Sequence, residues 1–161
     1  MAKKLLVLTA LLLCIGTMSL SAIGIGIQGG GGYGGYGRAG GALGGAAITF
    51  KLDDIPWVFA VDATIRGSGF GIGLTADMWV INQPVVGPLN FFAGWGLFGS
   101  VFISNSPSFA VGARLVAGLN MFLLDGFLEP YIQVAPGIGL HISPIGLYWN
   151  IPANIGIRFW F

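Results

Sequence analysis

The chain has 161 residues, enough for one domain. It is 55% hydrophobic, with a mean hydropathy of +0.83, and 8% charged, against about 25% in soluble domains. So little charge argues against an aqueous surface all round, the balance of 7 Lys and Arg against 6 Asp and Glu offers no basic patch for nucleic acid, and a single cysteine, Cys14, excludes an internal disulfide or thiolate metal cluster.

The first element is a secretory signal, expected over residues 1-22. Lys3 and Lys4 form its charged start, Leu5 to Ile15 its apolar core, and Ser19, Ser21 and Ala22 its cleavage region. The apolar run is short for a membrane-spanning helix, which needs about 20 residues. Cys14 lies within it, so the mature segment, 23-161, is expected to carry no thiol.

A membrane chain must satisfy its backbone internally, as helices or as a closed barrel. The best helix candidate, Val85 to Ile103, contains Gly87, Pro88, Gly94, Gly96 and Gly99 and is a poor helix former. A period of two fits better. The Gly29 to Gly37 run reads as part of a first strand, which a barrel needs to close. In Trp57 to Arg66, the residues Trp57, Phe59, Val61, Ala63 and Ile65 oppose Val58, Ala60, Asp62, Thr64 and Arg66. In Gly69 to Ile81, Phe70, Ile72, Leu74, Ala76, Met78 and Val80 oppose Gly69, Gly71, Gly73, Thr75 and Asp77. Near the end, Leu147, Trp149, Ile151, Ala153, Ile155, Ile157, Phe159 and Phe161 oppose Tyr148, Asn150, Asn154, Gly156 and Arg158. The segment Phe91 to Ile103 is apolar on both faces and takes no orientation from its sequence.

Turns are expected at Arg38-Ala39, Asp53-Asp54, Gly67-Ser68, Asn82 to Pro88, Ser104 to Pro107, Asp125-Gly126 and Ser143-Pro144. These divide the chain into eight strands. The expected fold is all-β, a transmembrane up-and-down antiparallel β-barrel of eight strands. Hairpin turns fix register, and register decides which faces coincide. The expected partners are Gln28 with Thr49, Thr49 with Val58, Ile48 with Phe59, Phe50 with Trp57, Asp62 with Gly73, Ile65 with Phe70, Asn120 with Tyr131, Gly118 with Gln133, Gln133 with Asn154, and Glu129 with Arg158. Polar or small residues then meet inside and apolar ones outside. At Ser104 to Pro107 a two-residue turn would break this agreement, and a five-residue loop restores it.

An eight-stranded barrel has an interior just filled by side chains. Gly26, Gly45, Gly71, Gly73, Gly112, Gly118, Gly137, Gly139 and Gly156 are expected on the inner face, making room for larger neighbours. The expected interior polar set is Gln28, Thr49, Lys51, Asp62, Thr64, Arg66, Thr75, Asp77, Arg114, Asn120, Glu129, Gln133, His141, Asn150, Asn154 and Arg158. Asp62, Asp77 and Glu129 can neutralise Arg66, Arg114 and Arg158 there. An interfacial aromatic girdle is expected at the periplasmic end from Trp57, Trp79, Phe91, Phe92, Phe122, Phe127, Tyr131, Phe159, Trp160 and Phe161.

The last residues, Asn154-Ile155-Gly156-Ile157-Arg158-Phe159-Trp160-Phe161, resemble the β-signal of outer-membrane proteins. Asn154, Gly156, Phe159 and Phe161 match its specified positions. In size and layout the mature segment is similar to the small OmpA/OmpX/OmpW-type barrels, without an OmpA-like peptidoglycan-binding domain after the barrel and with shorter outer loops than OmpX-type proteins. The resemblance implies residence in the bacterial outer membrane, recognition by the barrel-assembly machinery and contact with outer-membrane lipids.

The first functional reading is a structural, membrane-integrity barrel with a filled interior. The alternative is a narrow, porin-like pore for small solutes. Below both rank a surface adhesin, for which short outer turns offer little area, and a lipid-modifying enzyme. His141-Ile142-Ser143 is similar to the His-x-Ser element of lipid A deacylases, but no acid follows Ser143 to orient the imidazole. No catalytic, cofactor or metal site is expected.

Overall fold

The computed structural model describes residues 22–37, 39–66, 69–103, 107–142 and 145–161, with Ala39 and Arg66 described in their backbone alone. The strands in chain order are β1 (Ile23–Tyr36), β2 (Ala39–Leu52), β3 (Trp57–Arg66), β4 (Gly69–Val86), β5 (Leu89–Ile103), β6 (Ser108–Met121), β7 (Leu128–Val134), β8 (Gly137–Ile142) and β9 (Gly146–Trp160). All pairings are antiparallel, and β1 pairs with β9, so the sheet closes on itself. Closure removes both free edges, which in lipid would strand a row of backbone donors and acceptors. The seam reaches the C-terminus: Ile23 and Phe161 exchange backbone hydrogen bonds, each 3.0 Å long.

β7 and β8 are two halves of one stave. Pro136 has no N–H to give the ladder, and the strand pauses there. The register does not change across the pause: Val134 faces Ala153 and Gly137 faces Asn150 on β9. Ala135 N–H donates to the Pro152 carbonyl at 2.9 Å, and Leu115 N–H to the Pro136 carbonyl at 2.9 Å. The barrel therefore has eight staves. Among the described residues no helix is long and apolar enough to cross a membrane.

Side chains alternate around the wall. Ile27 (62% exposed), Leu74 (61%), Leu115 (64%) and Ile155 (68%) point outward, where only an apolar solvent suits them. Their strand neighbours point into the lumen.

Several hairpins have the expected register: Asp62 faces Gly73, Asn120 faces Tyr131, and Glu129 faces Arg158. Two are displaced by two residues. Tyr36 pairs with Ala39, so Ala39 belongs to β2 and not to the expected turn at Arg38-Ala39, and Gly37 lies at φ +58°. Gln28 consequently faces Ala47 rather than Thr49. A two-residue turn at Asp53-Asp54 would put Pro56 into the ladder opposite Lys51. Instead a longer turn forms, Lys51 faces Val58, and Thr49 faces Ala60, Ile48 Val61 and Phe50 Phe59. A shift of two keeps every side chain on its face.

The expected long turn Asn82 to Pro88 is mostly strand. β4 continues to Val86, and only Gly87, at φ +54°, and Pro88 form the turn. Bulges between Trp79 and Ile81 and between Pro84 and Val86 break the alternation that would have marked the strand. Beyond the expected Ser104 to Pro107 turn, Phe102 pairs with Ser108, and Arg114 faces Gly96 on the inside. That orients β5: Phe92 and Phe98 are buried inside, while Phe91, Trp95, Leu97 and Val101 are exposed. Residues 67–68, 104–106 and 143–144 of the expected turns, Arg38, and residues 1–21 of the expected signal lie outside the described residues.

Candidate functional site: the barrel interior

The lumen is built on one steric rule: a large inward side chain lies across a glycine on the next strand. Asp77 on β4, Gly96 on β5 and Arg114 on β6 are successive register partners. A Cβ at Gly96 would collide with the Asp77 carboxylate. With that space open, Arg114 reaches over Gly96 and holds Asp77 through two hydrogen bonds, Nε to Oδ1 at 2.7 Å and Nη2 to Oδ2. Tyr131 on β7 likewise crosses Gly156 on β9 and donates its hydroxyl to Gln28 Oε1 on β1 at 3.0 Å. A Cβ at Gly156 would stand 2.5 Å from that hydroxyl. Phe98 and Tyr148 meet over Gly112 and Gly139, with ring centroids 5.6 Å apart.

The end of the lumen nearest both termini is closed by a packed plug. Glu129 and Arg158 are 0% exposed and paired at 2.6 Å. Glu129 also accepts from Asn120 Nδ2 at 2.7 Å and Trp160 Nε1 at 2.8 Å. Three donors on one carboxylate are the compensation that a buried charge requires. The Arg158 guanidinium lies 4.9 Å from the Tyr131 ring centroid and 5.6 Å from that of Trp79. Trp79 stacks on Phe92 with centroids 3.9 Å apart and planes 12° from parallel. Lys51 caps the layer, its ammonium 5.5 Å from Trp79 and 5.1 Å from Trp160.

Farther from the termini the lumen opens into a cavity of about 100 Å³. Asp62, Thr64, Thr75, Ser100, Arg114, Asn150 and Asn154 contribute to its wall. Thr64 donates its hydroxyl to Asp62 Oδ1 at 2.9 Å, and Asn150 Nδ2 donates to the Tyr148 hydroxyl at 3.5 Å.

Of the expected interior set, Thr49, Lys51, Asp77, Asn120, Glu129, Gln133 and Arg158 are buried. Gln28, Asp62, Thr64, Thr75, Arg114, His141, Asn150 and Asn154 are half-buried along the lumen. Gln133 Nε2 donates to Gln28 Oε1 at 3.5 Å. His141 stacks on Tyr36, centroids 4.7 Å apart, near the outer turns. Ser143, its companion in the His-x-Ser element, lies outside the described residues, as does the Arg66 side chain. Asp77 pairs with Arg114 and Glu129 with Arg158, and Asp62 accepts the Thr64 hydroxyl. Among the described residues no cluster of His, Cys, Asp or Glu could hold a metal ion.

The expected girdle divides in two. Trp57, Phe91, Phe122, Phe127, Phe159 and Phe161 remain on the outer wall, where Trp57 meets Trp95 edge-on at 5.8 Å and Phe127 meets Phe161 at 5.8 Å. Trp79, Phe92, Tyr131 and Trp160 belong to the plug instead. Trp79 shares the inward parity of Asp77, so its face was readable. Phe92 had no such guide, because its strand is apolar on both sides. Within the terminal motif, Asn154 lines the cavity and Gly156 clears Tyr131, while Phe159 and Phe161 face outward.

A closed ring of eight antiparallel staves has a solved counterpart. Neisserial surface protein A matches over 87% of this chain and 99% of its own, with a TM-score of 0.60 at 14% identity. The fold is that of the small eight-stranded outer-membrane barrels. The N-terminal β-barrel domain of Pseudomonas aeruginosa OprF matches over 88% of this chain and 98% of its own, with a TM-score of 0.49 at 17% identity. No protein-family model matches the chain, and no curated protein is similar to it in sequence.

Proposed function

We propose that the chain is an integral outer-membrane barrel with a structural role in membrane integrity, closed to solute flow. The observation that carries this reading is the plug: Phe92, Glu129 and Arg158 are each 0% exposed, and Asn120 and Val116 each 1%. An eight-stranded wall leaves no second passage around such a layer. The outward apolar belt suits outer-membrane lipids as its surroundings, and the terminal Asn154, Gly156, Phe159 and Phe161 suit recognition by the barrel-assembly machinery. The secretory signal over 1-22 fits delivery to that machinery. No catalytic constellation is required by this role.

The competing reading is a narrow pore, and conductance separates the two. Refolded protein in planar lipid bilayers is expected to show no persistent single-channel steps under an applied potential. Reproducible steps from protein with folded, heat-modifiable gel mobility would establish the pore and end the closed-barrel reading.

A further inference from the structure

We propose that β8, with residues 146–151 of β9, 29–36 of β1 and 40–45 of β2, forms a flap over the cavity that opens as a unit while the plugged base stays shut. These stretches are neighbours in the closed ring: Gly137 faces Asn150, Asn150 faces Gly34, and Gly34 faces Gly41. Two prolines bound the flap on β8 and β9. In an antiparallel ladder, directly bonded residues exchange two N–H···O bonds. Leu115 N–H reaches the Pro136 carbonyl, and Ala135 N–H reaches the Pro152 carbonyl, each at 2.9 Å. Neither proline has an N–H to return the bond. The ladders on the two sides of one stave therefore each lose a bond at neighbouring residues.

Packing changes at the same level. Toward the termini lies the buried cluster of Val58, Trp79, Phe92, Val116, Tyr131 and Ala135. Gln28 ties β1 to that cluster by accepting the Tyr131 hydroxyl. Past Gln28 the lumen face of β1 continues as Gly30, Gly32 and Gly34, and past Pro136 that of β8 begins as Gly137 and Gly139. Among the described residues of the flap no side chain is buried. Two of its ring contacts are internal, Tyr36 on His141 and Tyr33 on Trp149, and hold its staves together. A third, Tyr148 on Phe98, reaches β5. A segment with few buried contacts opens at a lower free energy than the core. The flap supplies Gly30, Leu43, Gly45, Tyr148 and Asn150 to the cavity wall, so its opening widens the cavity and leaves the plug intact.

Amide hydrogen exchange of the refolded chain in lipid nanodiscs, read residue by residue, is the test. The control is the ladder between Leu97–Val101 on β5 and Phe109–Ala113 on β6. Phe109 to Ala113 face Ile142 to Ile138 on β8, so control and flap lie at the same level and meet water equally. Ladder amides of the flap are expected to share one opening and to exchange at least about 100-fold faster than the control ladder. Pro136→Ala supplies the missing N–H opposite Leu115 and is expected to slow the flap about tenfold, with exchange at Asn120, Tyr131 and Arg158 unchanged. Equal exchange in flap and control would overturn the proposal. So would flap amides that open one by one, or a folded Pro136→Ala variant with unaltered flap exchange. Should that variant not fold, the comparison of the two ladders in the unaltered chain decides alone. Conductance reads the plug and exchange reads the flap, so either reading can fail without the other.

Discussion

Replacing Glu129 with alanine is expected to cost the barrel about 3–5 kcal/mol, the usual penalty for removing one member of a buried ion pair. Glu129 takes hydrogen bonds from Arg158, Asn120 and Trp160 at once. Its removal leaves the Arg158 guanidinium at 0% exposure without its carboxylate, in the same layer as the Lys51 ammonium. Urea unfolding in lipid vesicles measures the loss. The double variant Glu129→Ala, Arg158→Ala should lose distinctly less than the sum of the two single losses, because the second change removes the stranded charge. Additive losses below about 1 kcal/mol each would mean that the plug is hydrated and loose.

The second large effect is a gain of conductance. Trp79→Ala with Phe92→Ala deletes the stacked pair that fills the centre of the plug. Lys51 also loses one of the two rings that hold it. Each truncation costs about 3–5 kcal/mol of packing, so the variant must first be shown to fold by its heat-modifiable mobility. Folded variant protein is expected to give channel steps in planar bilayers where the unaltered chain gives none. A silent, folded variant would place the closure of the lumen elsewhere.

Strand number and facing were legible because barrel strands write their two environments into alternate residues. Asp62, Asp77 and Arg158 could face only the lumen, and their parity oriented whole strands. Register was less legible for a defined reason. A shift of two residues, as at Lys51 and Val58, leaves both faces unchanged and so leaves no trace in the alternation. Pro56 was the one local sign that a tight turn at Asp53-Asp54 could not form. The segment from Asn82 to Pro88 was read as a turn because two bulges interrupt the alternation around it, and a strand with bulges has no period of two to find.

The plug was half visible. Glu129 and Arg158 follow from register, and the glycine positions show where large side chains can cross. The aromatic part was misplaced because height along the barrel and choice of face are separate questions. Trp79, Phe92, Tyr131 and Trp160 have the height of a girdle, but their faces point inward. Only the odd parity of Trp79 with Asp77, and of Tyr131 with Glu129, carried that information. That Asp62 takes the Thr64 hydroxyl was not visible at all. Sequence gives the number of inward charges, but which Arg reaches which carboxylate depends on the glycines between them.

All of these readings depend on the ring being closed between β1 and β9, and a cross-link tests that directly. Ile27 and Ile157 are register partners on the outer wall. Cysteines at both positions, in a Cys14→Ser background, should form an intramolecular disulfide on oxidation of the barrel in its membrane. A control pair at Ile27 and Val111, which lies on β6 away from the seam, should not. Efficient cross-linking of the first pair alone is the result that the closed eight-stave barrel predicts. Failure of the first pair, or equal cross-linking of both, would contradict it.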